Sequence, residues 1–288
     1  MENNFARRSL LFVPGNSTKM IAKSAETPTD SIIFDLEDSV IPAEKVIARE
    51  YVTDIIKKIR NAGKEIIVRV NAVDTLCGIN DLLDIAKARP HAFIIPKANV
   101  AAITTADIIL KGLECDLGIK TDEIKLIPLL ESADSILNSY CILTSANRID
   151  GVQLGAEDLT IDLNIERTKE SEEIRYAREM IVYSACACKN NIDIIDTPFT
   201  DVVDIKGLEK DAFVAKSIGF TGKACIHPNQ IETINRVFNP DREHADYAKR
   251  MVDAFNIAVS EGKGTCMFEG KMIDRPIVER AKKMWLKQ

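Results

Sequence analysis

A (β/α)8 TIM barrel with a C-terminal helical extension is the fold class this 288-residue sequence predicts, and three observations predict it. Eight short apolar runs recur before residue 240, each of strand length and each ending on something polar. Longer amphipathic stretches separate them, so the hydrophobic period alternates between about 2 and about 3.6, the βαβα order that builds a parallel sheet. No GxGxxG phosphate loop opens the chain. That favours a closed barrel, which has no free sheet edge, over an open doubly wound sheet.

The elements follow in order. The first strand spans 9–13, and the turn Pro14-Gly15-Asn16 leads into a helix starting at Ser17 or Thr18, both good N-caps. Strand two, 31–35, runs into the acidic cluster Asp35, Glu37 and Asp38. A helix over 42–60 opens on Pro42, whose missing N–H costs nothing in a first turn. Strand three, 65–70, delivers Arg69 and Asn71; a helix over 78–89 leads to strand four, 92–95, which closes on Pro96-Lys97. A helix over 100–113 precedes strand five, 125–130, and a helix over 133–145 precedes strand six, 151–155. A charged loop, 160–169, leads to a long helix, 171–189, and strand seven, 193–196. A helix over 205–217 and strand eight, 222–226, complete the set, ending in His227-Pro228.

Residues 1–240 therefore read as one barrel domain. Residues 241–288 exceed what a barrel needs. A helix over 241–262, a glycine-containing segment to 270 and a last helix from Pro276 suit packing on a neighbouring subunit or capping a site.

Composition excludes several partners. A net charge of −6 argues against nucleic acid and anionic membrane. Seven cysteines, an odd number with no CxxC pair, and three histidines argue against zinc and for reduced thiols. With no signal segment and no apolar run near 20 residues, the expectation is a soluble, cytoplasmic protein.

In a barrel the chemistry collects at the carboxyl ends of the strands. Those ends carry Pro14, Gly15, Glu37, Asp38, Arg69, Asn71, Lys97, Glu131, Ser132, Glu157, Asp158, Asp196 and His227. Glu131 closes KLIPLLES and Asp158 closes DGVQLGAED. Two carboxylates from adjacent strands, with room for water and substrate, describe a Mg²⁺ or Mn²⁺ site rather than a zinc cage. The plainer alternative is a pair of helix caps. If the segment stays extended, only one of Glu157 and Asp158 points inward, and the sequence does not choose. Arg69, within IIVRVN, needs an anionic partner because an unpaired buried charge is costly. It reads as a fork for a substrate carboxylate or enolate oxygen, as an ion pair with Glu37 or Asp38, or as both. Arg7, Arg8 and Lys97, with the Pro14-Gly15-Asn16 turn, are candidates to receive a phosphorylated carrier such as a coenzyme A arm. His227 reads as a hydrogen-bonded structural residue.

Seven segments, RRSLLFVPG, FDLEDSV, IVRVNAVDT, PLLESADSI, QLGAEDLTIDL, CIHPNQI and GKMIDRPIVERA, lie in order from Arg7 to Ala281. Together they resemble the citrate lyase β-subunit-like family of the HpcH/HpaI aldolase superfamily. The resemblance implies a TIM barrel, a Mg²⁺ ion and reversible carbon–carbon cleavage of a 3-hydroxyacyl thioester of coenzyme A or of an acyl carrier protein. Citryl thioester gives oxaloacetate and acetyl thioester; malyl- and citramalyl-CoA relatives give glyoxylate or pyruvate. By motif, Glu131 and Asp158 are the implied metal ligands, Arg69 the substrate-binding arginine, and Glu37 the residue that orders metal-bound water and Arg69. Asp274 is the implied aspartate contributed by a neighbouring subunit and the candidate acid. The resemblance further implies a homotrimer or hexamer and partnership with citrate lyase α and γ subunits. Pro198 and the ESADS form depart from many relatives and touch the acyl specificity rather than the metal ligands. A carrier-docking subunit without catalysis is the reading of another class.

Overall fold

Alternation of side chains along the strands decides how this chain closes. The computed structural model describes residues 5–239 and 242–285. Eight parallel strands form a closed barrel in sequence order, and the fold is a (β/α)8 TIM barrel. The strands are β1 (Ser9–Pro14), β2 (Ser31–Asp35), β3 (Glu65–Arg69), β4 (Ala92–Ile95), β5 (Lys125–Leu130), β6 (Gly151–Leu154), β7 (Asp193–Asp196) and β8 (Gly222–Cys225). The barrel helices are α1 (Thr18–Ser24), α2 (Lys45–Ile59), α3 (Leu76–Ile85), α4 (Val100–Asp116), α5 (Ala133–Leu137), α6 (Ser139–Leu143), α7 (Ala156–Asp162), α8 (Arg175–Ala187), α9 (Ile205–Ile218) and α10 (Ile231–Phe238).

The apolar residues divide into two shells. Leu10, Ile33, Ile67, Ile94, Ile127, Leu129 and Ile195 fill the lumen. Their strand neighbours, among them Ile32, Phe34, Ile66, Val68, Phe93 and Val152, pack outward in the layer that holds the helices. Each fully buried side chain of this size contributes about 1.5–3 kcal/mol.

The amino-terminal end is sealed by charge. Arg7 Nη2 lies 2.6 Å from Glu65 Oε1, and its Nη1 reaches Asp150 and Asp193. Arg8 sits beside it, 2.8 Å from Asp30. A second buried network ties β7 and β8 to their helices: Arg178 and Lys223 share Asp196 and Asp211. Burial alone would raise the Asp211 carboxyl, but Lys223 and Arg178 outweigh it and hold the group well below its ordinary range.

Local structure departs from the sequence reading in four places, each with a physical reason. The helix expected over 133–145 divides at Asn138, whose side chain donates to the Asp134 carbonyl and so competes with the helix ladder. The charged loop begins inside a helix, because Gly155 ends β6 one residue early and α7 starts at Ala156. A single 3₁₀ turn at 172–174 precedes α8. After Phe238 a second compact unit begins at Asn239. It contains α11 (Arg242–Ser260), α12 (Arg275–Trp285) and, between them, an antiparallel hairpin of β9 (Thr265–Phe268) and β10 (Lys271–Asp274). Glu269 and Gly270 both take positive φ, 46° and 79°, the geometry of a two-residue type I′ turn. Ala248, Val252, Phe255, Ile273 and Val278 form the core of this unit.

Replacing Lys223 by Met leaves Asp196 and Asp211 with one cation instead of two. The expected cost is about 3–5 kcal/mol at neutral pH, read as the shift in urea midpoint. The Asp211 contribution is present above its ordinary value of 3.8 and is lost as pH falls towards the depressed folded value, so the gap between wild type and variant narrows in acid.

Candidate functional site

At the carboxyl ends of the strands the barrel opens into a cleft of about 480 Å³ whose walls include Phe12, Pro14, Arg69, Glu131, Gln153, Asp158, Thr197 and Pro198. Four of these are residues that the sequence placed at a site: Pro14, Arg69, Glu131 and Asp158.

Arg69 is anchored before any ligand arrives. It pairs in register with Asp35 on the neighbouring strand. Its Nε donates to Asp35 Oδ1 at 2.7 Å and its Nη2 to Oδ2 at 2.8 Å, a two-pronged bond. Asp35 also accepts from the backbone N–H of Glu37 and Ser39, so the FDLEDS loop winds around the same carboxylate. Nη1 faces Glu37 and Asp38, 3.0 Å and 3.2 Å away. The Phe12 ring lies 5.2 Å beneath the guanidinium. The sequence offered Glu37 or Asp38 as the partner; Asp35 holds the fork. Its signal was available, since Ile33 and Ile67 point inward and a period of two carries Asp35 and Arg69 to the same face.

Glu131 follows β5 and is 6% exposed. Ser132 caps α5 by accepting from Ser135 N–H, which leaves Glu131 free of capping duty. The backbone N–H of Lys97 donates to Glu131 Oε1 at 2.5 Å. Lys97 holds φ 49°, a left-handed conformation that costs a non-glycine residue about 1 kcal/mol and here aims that N–H. Gly155 allows the two strands to approach: a Cβ there would stand 2.7 Å from Glu131 Cβ and 2.9 Å from Oε2. Because α7 begins at Ala156, the alternation expected for Glu157 and Asp158 does not apply. Both lie in the first helical turn. Glu157 pairs with Arg167, while Asp158 stays beside Glu131, with which it also lines a second, smaller cleft.

The electrostatics set this mouth apart. Burial pushes the Glu37 carboxyl up to about 8, with Asp38, Glu131 and Asp35 adding to the rise and Arg69 opposing it. Burial pushes Glu131 up to about 7, with Asp158 adding and the Lys97 N–H and Arg69 opposing. Asp35 goes the other way: burial would raise it, but Arg69 more than offsets that and holds it low. Glu37 Oε2 is buried and, though within ion-pair distance of Arg69, has no aligned hydrogen bond among the described residues.

Other expected site residues have partners of their own. Arg8, with Arg7, is at the amino-terminal end of the barrel and bound to Asp30, because it precedes β1 instead of following it. Lys97 serves through its backbone; its side chain is exposed at two neighbouring clefts. Asp196 turns outward into the Arg178–Lys223 network, and Asn71 bonds Asp81 and the Leu36 carbonyl. His227 accepts from Asn229 N–H as a cap. Asp274 belongs to the second unit, where its Oδ1 accepts from Ile277 N–H at the start of α12.

The donor set fits a hard divalent cation. Glu131 and Asp158 line one cleft, and burial, with Asp158 adding to it, disfavours the Glu131 carboxylate in a way that a bound cation would relieve. Two protein ligands leave the remaining positions of an octahedral Mg²⁺ to water and substrate. Among the described residues, no group of three or more His, Cys, Asp or Glu side chains is arranged as a metal cage.

The chain has clear relatives among known proteins. Residues 8–228 match the sequence model of the HpcH/HpaI aldolase/citrate lyase family. The chain is 33% identical over 285 residues to citrate lyase subunit beta of Leuconostoc mesenteroides subsp. cremoris, covering 99% of this chain and 94% of the relative. It is 31% identical over 290 residues to the mitochondrial citramalyl-CoA lyase of Rattus norvegicus, covering 96% and 84%. Among solved structures, protein CitE from Mycobacterium tuberculosis, in complex with magnesium, acetoacetate and coenzyme A, superposes with a TM-score of 0.77 at 27% identity, covering 98% and 97%.

Two measurements test the site. Protons compete with a cation for Glu131, so Mg²⁺ affinity measured by calorimetry rises as pH increases through about 7, and Glu131→Gln abolishes binding. Gly155→Ala drives a methyl into Glu131 and lowers Mg²⁺ affinity roughly 10- to 100-fold, the cost of a displaced ligand.

Proposed function

This chain belongs to the HpcH/HpaI aldolase/citrate lyase family, and from that premise we propose a Mg²⁺-dependent carbon–carbon lyase that cleaves citryl thioester to oxaloacetate and acetyl thioester. The observation that carries the reading is the convergence of the buried Glu131 and the half-buried Asp158 with the anchored Arg69 on one cleft.

Glu131 and Asp158 would hold the ion. When bound, Mg²⁺ supplies Lewis acidity that lowers the pKa of the substrate hydroxyl and favours the ketone product. The rest is the work of the chain. Arg69, locked by Asp35 along one edge, offers Nη1 to a substrate carboxylate or to the oxygen on which negative charge develops. Fixing the fork in advance means little reorganisation is needed when that charge appears. Glu37 Oε2 is a buried acceptor without an aligned donor, placed beside Nη1 to hold a water or the substrate hydroxyl. In the cleavage the C3 hydroxyl passes its proton to the ionised Glu37 carboxylate and the C2–C3 bond breaks. The electron pair passes to the thioester enolate, and C2 then takes a proton from an acid. Asp274 is our candidate for that acid, supplied by a neighbouring copy of the chain. The described second unit exposes Ile257, Val259, Met267 and Met272, apolar residues suited to burial against another subunit. A cytoplasmic homotrimer or hexamer, working with citrate lyase α and γ subunits on a thioester of coenzyme A or of an acyl carrier protein, completes the reading. No helix among the described residues is long and apolar enough to cross a membrane.

Turnover of citryl-CoA, L-malyl-CoA and citramalyl-CoA, each with Mg²⁺ and with EDTA, tests the proposal. Citryl-CoA is expected to be cleaved with Mg²⁺ only, and Arg69→Lys to lower kcat/KM roughly 10²- to 10³-fold through loss of the two-pronged anchor. Cleavage of malyl- or citramalyl-CoA instead would change the substrate, and no turnover of any of the three would overturn the lyase reading.

A further inference from the structure

One polar group in the cleft is not used by the chemistry above. Gln153 on β6 is 2% exposed, yet it forms part of the cleft wall. Its register partners are Leu129 on β5 and Ile195 on β7, both members of the apolar lumen core. Its Oε1 is buried without a hydrogen-bond partner among the described residues. Two residues further on along the same face stands Gly155, in contact range of Glu131. Gln153 therefore lies one layer deeper than the metal-binding carboxylates, about 6.6 Å along the strand. A buried amide among leucine and isoleucine is costly unless something pairs with it, and such groups persist where a ligand completes them.

We propose that Gln153 determines substrate specificity by reading the side arm on C3 of the hydroxyacyl thioester. The inference rests on the lyase reading of this site. Malyl, citramalyl and citryl thioesters share the hydroxyl and the adjacent carboxylate, the parts that Arg69 and the cation-binding carboxylates engage. They differ only in the third substituent on that carbon: hydrogen, methyl or carboxymethyl. Hydrogen and methyl offer no hydrogen bond and leave the amide unpaired. A carboxymethyl arm carries an anionic acceptor. The amide also carries the Nε2 donors, and because a half-turn exchanges its two ends, such an arm sets which end meets it and takes the donors. An apolar residue at 153 would favour methyl; glutamine favours the carboxylate, and with it oxaloacetate as the keto-acid product.

The test pairs binding with turnover. Calorimetry with Mg²⁺ measures oxaloacetate against pyruvate for the wild type, Gln153→Leu, Gln153→Met and Gln153→Glu, with thermal midpoints as a folding control. Kinetics with citryl-CoA and citramalyl-CoA run alongside. The wild type is expected to prefer oxaloacetate. The Leu and Met variants should lose roughly 10- to 100-fold of that preference, as a hydrogen bond to a charged group implies. Gln153→Glu, close in shape, should repel oxaloacetate more strongly still. Proportional losses on both keto acids, or an unchanged ratio in the folded variants, overturn the proposal. If the wild type cleaves neither thioester, the lyase reading fails while the calorimetric ratio still decides the role of Gln153. If it binds neither keto acid, both readings fall.

Discussion

Three buried carboxylates, Asp35, Glu37 and Glu131, share the mouth of this barrel with one guanidinium, that of Arg69, and that imbalance shapes everything around it. In the network between β7, β8 and their helices, Arg178 and Lys223 face Asp196 and Asp211, two charges against two, and Asp211 is held ionised. At the mouth, Arg69 is already committed to Asp35, so Glu37 and Glu131 are buried beyond its capacity and their carboxyls rise to about 8 and about 7. A buried, uncompensated carboxylate either takes a proton or waits for a cation. The same residues that resemble a lyase motif therefore carry a physical need for the ion that such a lyase uses.

The barrel makes this arrangement possible by separating two jobs. Outward-facing residues such as Phe34, Val68 and Phe93 pack in the layer that binds the helices and holds the fold. Inward-facing residues, two apart on each strand, fill the middle of the lumen chiefly with isoleucine and leucine, with Gln153 polar among them, and polar groups gather at the two ends. Asp35 and Arg69 meet because β2 and β3 are in register there. Glu131 meets Asp158 because Gly155 lets β6 come close. The chemistry is thus placed by strand ends, and the loops beyond β2 and β4 tune it, one by winding around Asp35 and the other through the left-handed Lys97.

Much of this was legible in the sequence. The eight strands are found where periodicity put them, because short apolar runs ending in polar residues are what a barrel strand requires. Glu131 and Arg69 were readable for the same reason, each closing such a run; Asp158 lines the same cleft but reaches it from the first turn of α7. Arg8 misled because charge type alone does not say which end of a strand a residue occupies; it comes before β1, on the sealed side. Asp196 misled because a strand end has two faces, and its side chain takes the helix side, where Arg178 and Lys223 wait. The start of α7 was hidden because Gly155 reads equally well as the last strand residue or as a helix N-cap. The hairpin of the second unit was hidden because its strands are four residues each, shorter than a periodicity can establish.

The residues that no motif singled out show how such a site acquires selectivity. A metal pair and an arginine define a reaction class, since they grip what all its substrates share. Discrimination within the class has to come from groups that touch what differs, and those groups are free to vary without disturbing the reaction. Gln153 has that character: its amide oxygen has no partner among the described residues, and it sits between the apolar Leu129 and Ile195. Local rules of packing are broken where function needs it, and a glutamine left short of a partner in a barrel lumen is such a break. Sequence patterning could not reveal it, because a single polar residue inside the run GVQL reads as an ordinary interruption. Only the closed barrel shows that this position looks into the cleft.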